Sequence, residues 1–198
     1  MTARRVVNLI AAAALATAAY SCGISKPARF YTLDSTAAPI GAALANASVM
    51  VGPVTVPASV DRPEIVVRVA PNRVDVDEFN RWAAALDDSI ARAVAGDLAA
   101  QLGSPDVTTA PLANFNPDYR VIIDVQRFES TPGKSALTEA MWTVRSAATG
   151  DVRSGRTVAQ ETPQGDSYQA LAAAHSQALA IVSADIAAAI RSEARDKH

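Results

Sequence analysis

Apolar residues recur at every fourth position from Trp82 through Leu86, Ile90, Val94, Leu98 and Leu102, with alanines between them. A repeat near 3.6 residues draws one stripe down a helix, so the spacing predicts a helix beginning at Trp82 and closed by Gly103. Asp87, Asp88 and Arg92 fall off that stripe and are expected on solvent. A second stripe runs through Tyr168, Leu171, His175, Leu179, Val182, Ile186 and Ile190. Its helix is capped by Asp166 or Ser167 and covers about 27 residues, roughly 40 Å at 1.5 Å per residue. The polar stretch from Ser192 to His198 is expected to fray.

Elsewhere the period shortens to two. Tyr119, Val121, Ile123 and Val125 alternate with Arg120, Asp124 and Gln126, the signature of a half-buried strand. Pro132-Gly133 turns the chain into a strand over 137–146, and Thr149-Gly150-Asp151 turns it into another over 152–160, so an antiparallel meander is predicted. Further strands are expected at 29–33, 49–57, 64–69, 73–76 and 107–109. Gly52-Pro53 interrupts the second of these, which places it at an edge or on a bulge, because proline cannot donate to a ladder. The pattern reads as an α+β domain: a mostly antiparallel sheet with a three-strand meander, packed by two main helices.

The N-terminus has a different grammar. Arg4 and Arg5 precede an apolar run from Val6 to Ala19, the charge order and length of a secretory signal and too short for a comfortable membrane span. Ala19-Tyr20-Ser21-Cys22 resembles a lipobox, and Cys22 is the only cysteine in the chain. Residues 1–21 are read as the signal peptide, 22–28 as a lipidated cysteine with its tether, and 29–198 as one domain. Two other readings stand beside this one: an ordinary cleavage site at Ala16-Thr17-Ala18, and Cys22 as a small buried hydrophobe. If Cys22 is acylated, each buried methylene contributes about 0.8 kcal/mol to anchoring. Gly23 follows where an aspartate would favour the inner membrane, so an outer-membrane destination is expected. The tether from Gly23 to Ala28 reaches only about 20 Å.

Removing 21 residues leaves 177 of the 198, enough for one core. Losing Arg4 and Arg5 takes the 18 basic residues to 16 against 20 acidic, with no basic cluster, which argues against nucleic-acid binding. Hydrophobic residues make up 49% but aromatics only 5%, so the core must be built from small and β-branched side chains.

Chemistry is sparse. There is no Walker or Rossmann loop, and no HExxH, CxxC or GxSxG. His175 lies on the apolar stripe of the last helix and is read as a packed or interface residue rather than a catalytic one. Asp75, Asp77 and Glu78 form the densest acidic group, read as a solvated turn before a helix rather than a cation site. Trp82 and Trp142 are read as core residues rather than ligand platforms. No cofactor or metal is called for.

Several stretches follow one another in a familiar order. They are Phe30-Tyr31-Thr32-Leu33, Val51-Gly52-Pro53-Val54 with Val56-Pro57, Asp61-Arg62-Pro63-Glu64-Ile65-Val66, and Phe79-Asn80-Arg81-Trp82-Ala83 with Leu86. Asp118-Tyr119-Arg120-Val121, Asp124-Val125, Arg127-Phe128, Ala140 and Trp142 complete the series. In these the mature chain resembles the ABC-type transport auxiliary lipoprotein family, whose best-known branch is the PqiC-like intermembrane transport lipoproteins. The resemblance implies an outer-membrane lipoprotein without enzymatic activity. Its implied partners are an MCE-domain protein that forms a tunnel across the periplasm and the inner-membrane transporter that feeds it lipid. It also implies ring-like homo-oligomers. Ala84-Ala85 stands where many relatives have an acidic residue and proline, which suggests a helical turn there. Arg62, Arg81 and Trp82 are the motif residues to locate, either as braces within the fold or as partner contacts. The competing function is a periplasmic or tethered lipid-binding carrier, which would need an enclosed apolar pocket of roughly 300 Å³ or more.

Overall fold

The computed structural model describes residues 26–110 and 115–196. Ten elements follow in order: β1 (Arg29–Tyr31), β2 (Val49–Thr55), β3 (Glu64–Ala70), β4 (Arg73–Trp82), α1 (Leu86–Leu102), β5 (Val107–Thr108), β6 (Tyr119–Thr131), β7 (Ser135–Ser146), β8 (Val152–Glu161) and α2 (Tyr168–Asp196). They build an α+β fold with two sheets. A five-stranded sheet has the order β5-β2-β6-β7-β8, and a three-stranded one the order β1-β4-β3.

The meander β6-β7-β8 is antiparallel as expected, but the sheets are mixed. β2 runs parallel to both β5 and β6, and β1 runs parallel to β4. The reason is the crossover: the chain leaves β2, builds the β3–β4 hairpin and α1, and returns in the original direction, which only a parallel pairing accommodates. β2 is bulged between Val51 and Val54, at Gly52-Pro53, yet it lies inside the sheet rather than at its edge.

Both helices cover one face of the large sheet, α1 against β2 and α2 against β7 and β8, and they pack on each other. The stripes do the work the spacing assigned them: Leu86, Ile90, Val94, Leu98 and Leu102 are buried, as are Leu171, Leu179, Val182, Ile186 and Ile190. Ser167 caps α2, its Oγ accepting the Ala170 N–H at 3.1 Å.

Three boundaries differ from expectation. Trp82 ends β4 instead of opening α1, and Ala83–Ala85 is a bend rather than a helical turn. Trp82 is buried at the end of a strand four positions before the first helical leucine, so its spacing mimics the stripe. β4 also runs through Asp75, Asp77 and Glu78, which therefore sit on a strand and not in a turn before a helix. Finally, α2 does not fray at Ser192. It continues to Asp196 because Glu193, buried there, accepts from Arg153 Nε at 2.8 Å and Thr149 Oγ1 at 3.2 Å.

Asp97 is fully buried on α1 and was not singled out by any motif. Its Oδ1 accepts from the Ser35 hydroxyl (2.9 Å) and from the N–H groups of Thr36 (2.8 Å) and Ala37 (2.9 Å), while Oδ2 lies 3.3 Å from the Ser183 hydroxyl of α2. One carboxylate thus pins the loop after β1 to both helices. Gly96 makes the approach possible, since a Cβ there would stand 2.8 Å from Ser35 Cβ. Asp97→Ala is expected to lower stability by about 2 to 3 kcal/mol in urea unfolding, because the Ser35 hydroxyl and the Thr36 and Ala37 N–H groups lose a charged acceptor. A change near zero would mean that water replaces the carboxylate.

Across the meander, the Trp142 ring of β7 lies over Gly155 of β8, where a Cβ would meet Trp142 Cζ2 at 2.2 Å. The indole N–H donates to Thr157 Oγ1 (3.0 Å), whose hydroxyl donates to Asp185 Oδ2 on α2 (2.6 Å).

Candidate functional site

The small sheet holds the first described strand, β1. Cys22 itself lies outside the described residues; β1 begins seven residues beyond it at Arg29. β1 is short, and its alternation is simple. Tyr31 is half-buried and Leu33 beyond it is buried, whereas Phe30 points the other way.

Three of the sequence stretches singled out above converge here. Tyr31 O–H donates to Asn80 Oδ1 at 2.7 Å, and Tyr31 C=O accepts the Ala83 N–H at 2.8 Å. The Trp82 N–H donates to Pro63 C=O at 2.7 Å, tying the Asp61-Arg62-Pro63 turn to the end of β4. Glu64 receives both arginines: Arg81 Nη2 at 2.6 Å and Arg62 Nε at 3.6 Å. Arg62 and Arg81 are therefore brought together on one carboxylate, while Trp82 faces inward with its ring edge-on to Phe128 (6.0 Å) and His175 (6.5 Å). The Arg81–Glu64 pair is partly exposed, and such pairs contribute up to about 1 kcal/mol. Arg81→Ala is expected to shift the unfolding midpoint only slightly; a loss well above that would show that Arg81 braces the fold.

Asp77 shapes the local backbone. Its Oδ1 accepts the N–H groups of Phe79 and Asn80, both at 2.9 Å, which organises a bulge where Ile65 pairs with Asp77 and Glu64 with Arg81. Oδ2 accepts from Tyr168 O–H at 2.9 Å. Burial alone would raise the Asp77 pKa, but the hydrogen bonds from Asn80, Phe79 and Tyr168 outweigh it and hold the carboxyl below the usual range. Tyr168 moves upward, through burial first and then its hydrogen bond to Asp77 and the charge there. With both Asp77 oxygens engaged and Asp75 paired to Arg73 (3.7 Å), the acidic cluster presents no ligand set; among the described residues no three such groups come together.

His175 is fully buried where the two sheets meet α2. Its ring stacks on Phe128 (3.9 Å, 12° between planes) and Nε2 lies 2.8 Å from Ser130 Oγ. Burial pushes its pKa down to about 3, so the ring is neutral and sealed from substrate. Sequence reading placed His175 but not its partners, because a register shift in β6 between Val125 and Arg127 reverses the alternation and turns Phe128 and Ser130 inward.

The seam between the sheets forms a cleft of about 140 Å³ lined by Pro57, Val60, Val66, Arg68, Val74 and Phe128. That is under the roughly 300 Å³ a buried lipid-sized ligand needs. Larger hollows, about 370 Å³ each beside Phe30 and beside Phe79 and about 520 Å³ between Trp142 and Asp185, are open to solvent. From the seam across the meander runs a ladder of charges: Arg68–Glu129 (3.1 Å), Arg127–Glu129 (2.9 Å), Arg127–Glu139 (3.7 Å) and Arg156–Glu139 (2.8 Å). The Arg127 hydrogen bond is the main cause holding the Glu129 carboxyl below its ordinary range.

Comparison with known proteins agrees with this fold. The fold matches the crystal structure of an uncharacterized protein (TM-score 0.69, 21% identity, 83% of this chain and 99% of that one). It also matches a Xanthomonas campestris protein of the DUF330 family (TM-score 0.70, 22% identity, 86% of this chain and 100% of that one). No curated protein sequence matches the chain. A family model, described as the ABC-type transport auxiliary lipoprotein component, matches residues 31–187 and so spans both sheets, α1 and most of α2. The chain belongs to the ABC-type transport auxiliary lipoprotein family.

Proposed function

We propose that this lipoprotein is anchored through Cys22 in the outer membrane and serves there as a non-enzymatic dock for the periplasm-spanning MCE protein of an intermembrane lipid transport system. The observation that carries the reading is the family match over residues 31–187, which makes the chain an auxiliary of a transporter and not the transporter itself. The small seam cleft favours a docking role over that of a lipid carrier. Docking would be shared among copies, because a ring of subunits held by short tethers can surround the tip of a tunnel, and rings arise wherever head-to-tail contacts close.

Crosslinked envelopes test the partner. The MCE protein should co-purify with this chain, in parallel with a known envelope complex; recovery of the control without the MCE protein would remove the adaptor function. Light scattering tests the assembly, since a monomer across micromolar concentrations contradicts a ring.

A further inference from the structure

Phe30 is the most exposed large hydrophobic residue among those described, at 63%. It belongs to a stretch in which Tyr31 bonds Asn80 and Leu33 is in the core. In β1 it aligns with Arg81, on the side of the small sheet away from buried Trp82. Its neighbours toward the tether are Lys26 and Arg29, both exposed, and from Gly23 to Leu33 the chain has no acidic residue.

Reach narrows what can cover it. From Cys22 to Phe30 a fully extended chain spans at most about 29 Å. With acyl chains on Cys22, Phe30 stays within that distance of the membrane surface, close enough to reach it. A surface-lying apolar group enters the headgroup–acyl boundary by about 5–10 Å, and lysine or arginine beside it is drawn to anionic phospholipid. We infer that Phe30, flanked by Lys26 and Arg29, seats the domain directly on the bilayer, its ring in the headgroup–acyl boundary and the two cations against anionic headgroups. This rests on Cys22 being the anchor.

The single cysteine gives a test that does not depend on cellular acylation. Residues 22–198, which contain every described element, can be coupled through Cys22 to a maleimide lipid in phosphatidylethanolamine–phosphatidylglycerol vesicles. Phe30→Trp is read as added emission over the parent, with Val158→Trp, on an exposed position of β8, as the reference. Emission from position 30 should shift to the blue and be lost when the vesicle lipids are brominated near the glycerol end of the acyl chains, while emission from position 158 persists. Equal quenching at both positions, quenching at 158 alone, or no loss at 30 overturns the inference. A blue shift at 30 that appears without vesicles and grows with protein concentration overturns it too, and would assign Phe30 to contact with a second copy. Whether the cell uses Cys22 is decided separately, by fractionation.

Discussion

Lowering the pH from 7 to 4 is expected to remove about 3 kcal/mol of folding stability through His175 alone, at about 1.4 kcal/mol per unit below 6.5. In the unfolded chain this ring titrates near 6.5; in the fold, burial holds it down at about 3. Between those values the unfolded state carries one more proton than the native state. The contribution is therefore complete above pH 6.5 and is lost as pH falls toward 3. Its described neighbours, Ser130, Phe128 and Trp82, are neutral, so nothing there compensates a charge. Asp77 and Glu129, both held below the usual carboxylate range, lose their contributions only at lower pH, which leaves the interval from 6.5 to 4.5 to the histidine. Urea unfolding as a function of pH reads the slope. In His175→Gln, which keeps a polar partner for Ser130, the slope over that interval should flatten; an unchanged slope would place the acid sensitivity elsewhere.

Replacing Cys22 with serine is expected to move the protein from the membrane fraction to the soluble periplasmic fraction almost completely. Two or three acyl chains at about 0.8 kcal/mol per buried methylene hold far more strongly than any protein–lipid contact at Phe30. The wild-type N-terminal peptide should carry the acyl mass. Retention of Cys22→Ser in the membrane, together with an unmodified wild-type peptide, would reject the anchor. Gly23→Asp asks the companion question of address: unchanged outer-membrane recovery would show that the residue after the cysteine does not sort this lipoprotein.

Both helices and the β6–β7–β8 meander could be read from the chain because their information is local. Leu86 through Leu102 repeats at the helical period, and Pro132-Gly133 and Thr149-Gly150-Asp151 mark tight turns. The division into two mixed sheets could not, since whether β2 pairs with β3 or with β6 depends on residues 70 positions away. Trp82 shows how a local period misleads: strand end and helix stripe coincide at a four-residue step, and only the tertiary position of Phe128 and His175 separates them. Arg62 and Arg81 were legible as motif residues, but their shared acceptor Glu64 was not, because Arg81 meets it across a strand pair with a bulge. Asp97 had no signature at all. An isolated aspartate amid alanines looks like helix surface until the loop at Ser35–Ala37 folds over it.

The indole of Trp142 resting on Gly155 has an evolutionary corollary. The two positions lie on adjacent strands and share one volume, so neither can be inherited freely: a side chain at 155 requires a smaller residue at 142, and a tryptophan at 142 keeps 155 a glycine. Because the same ring also orients Thr157 toward Asp185, drift at 155 would be felt as far as the α2 surface. Among homologues these sites should therefore change as a set, and a lineage caught with only one of them altered should carry a loosened contact between the meander and its covering helix.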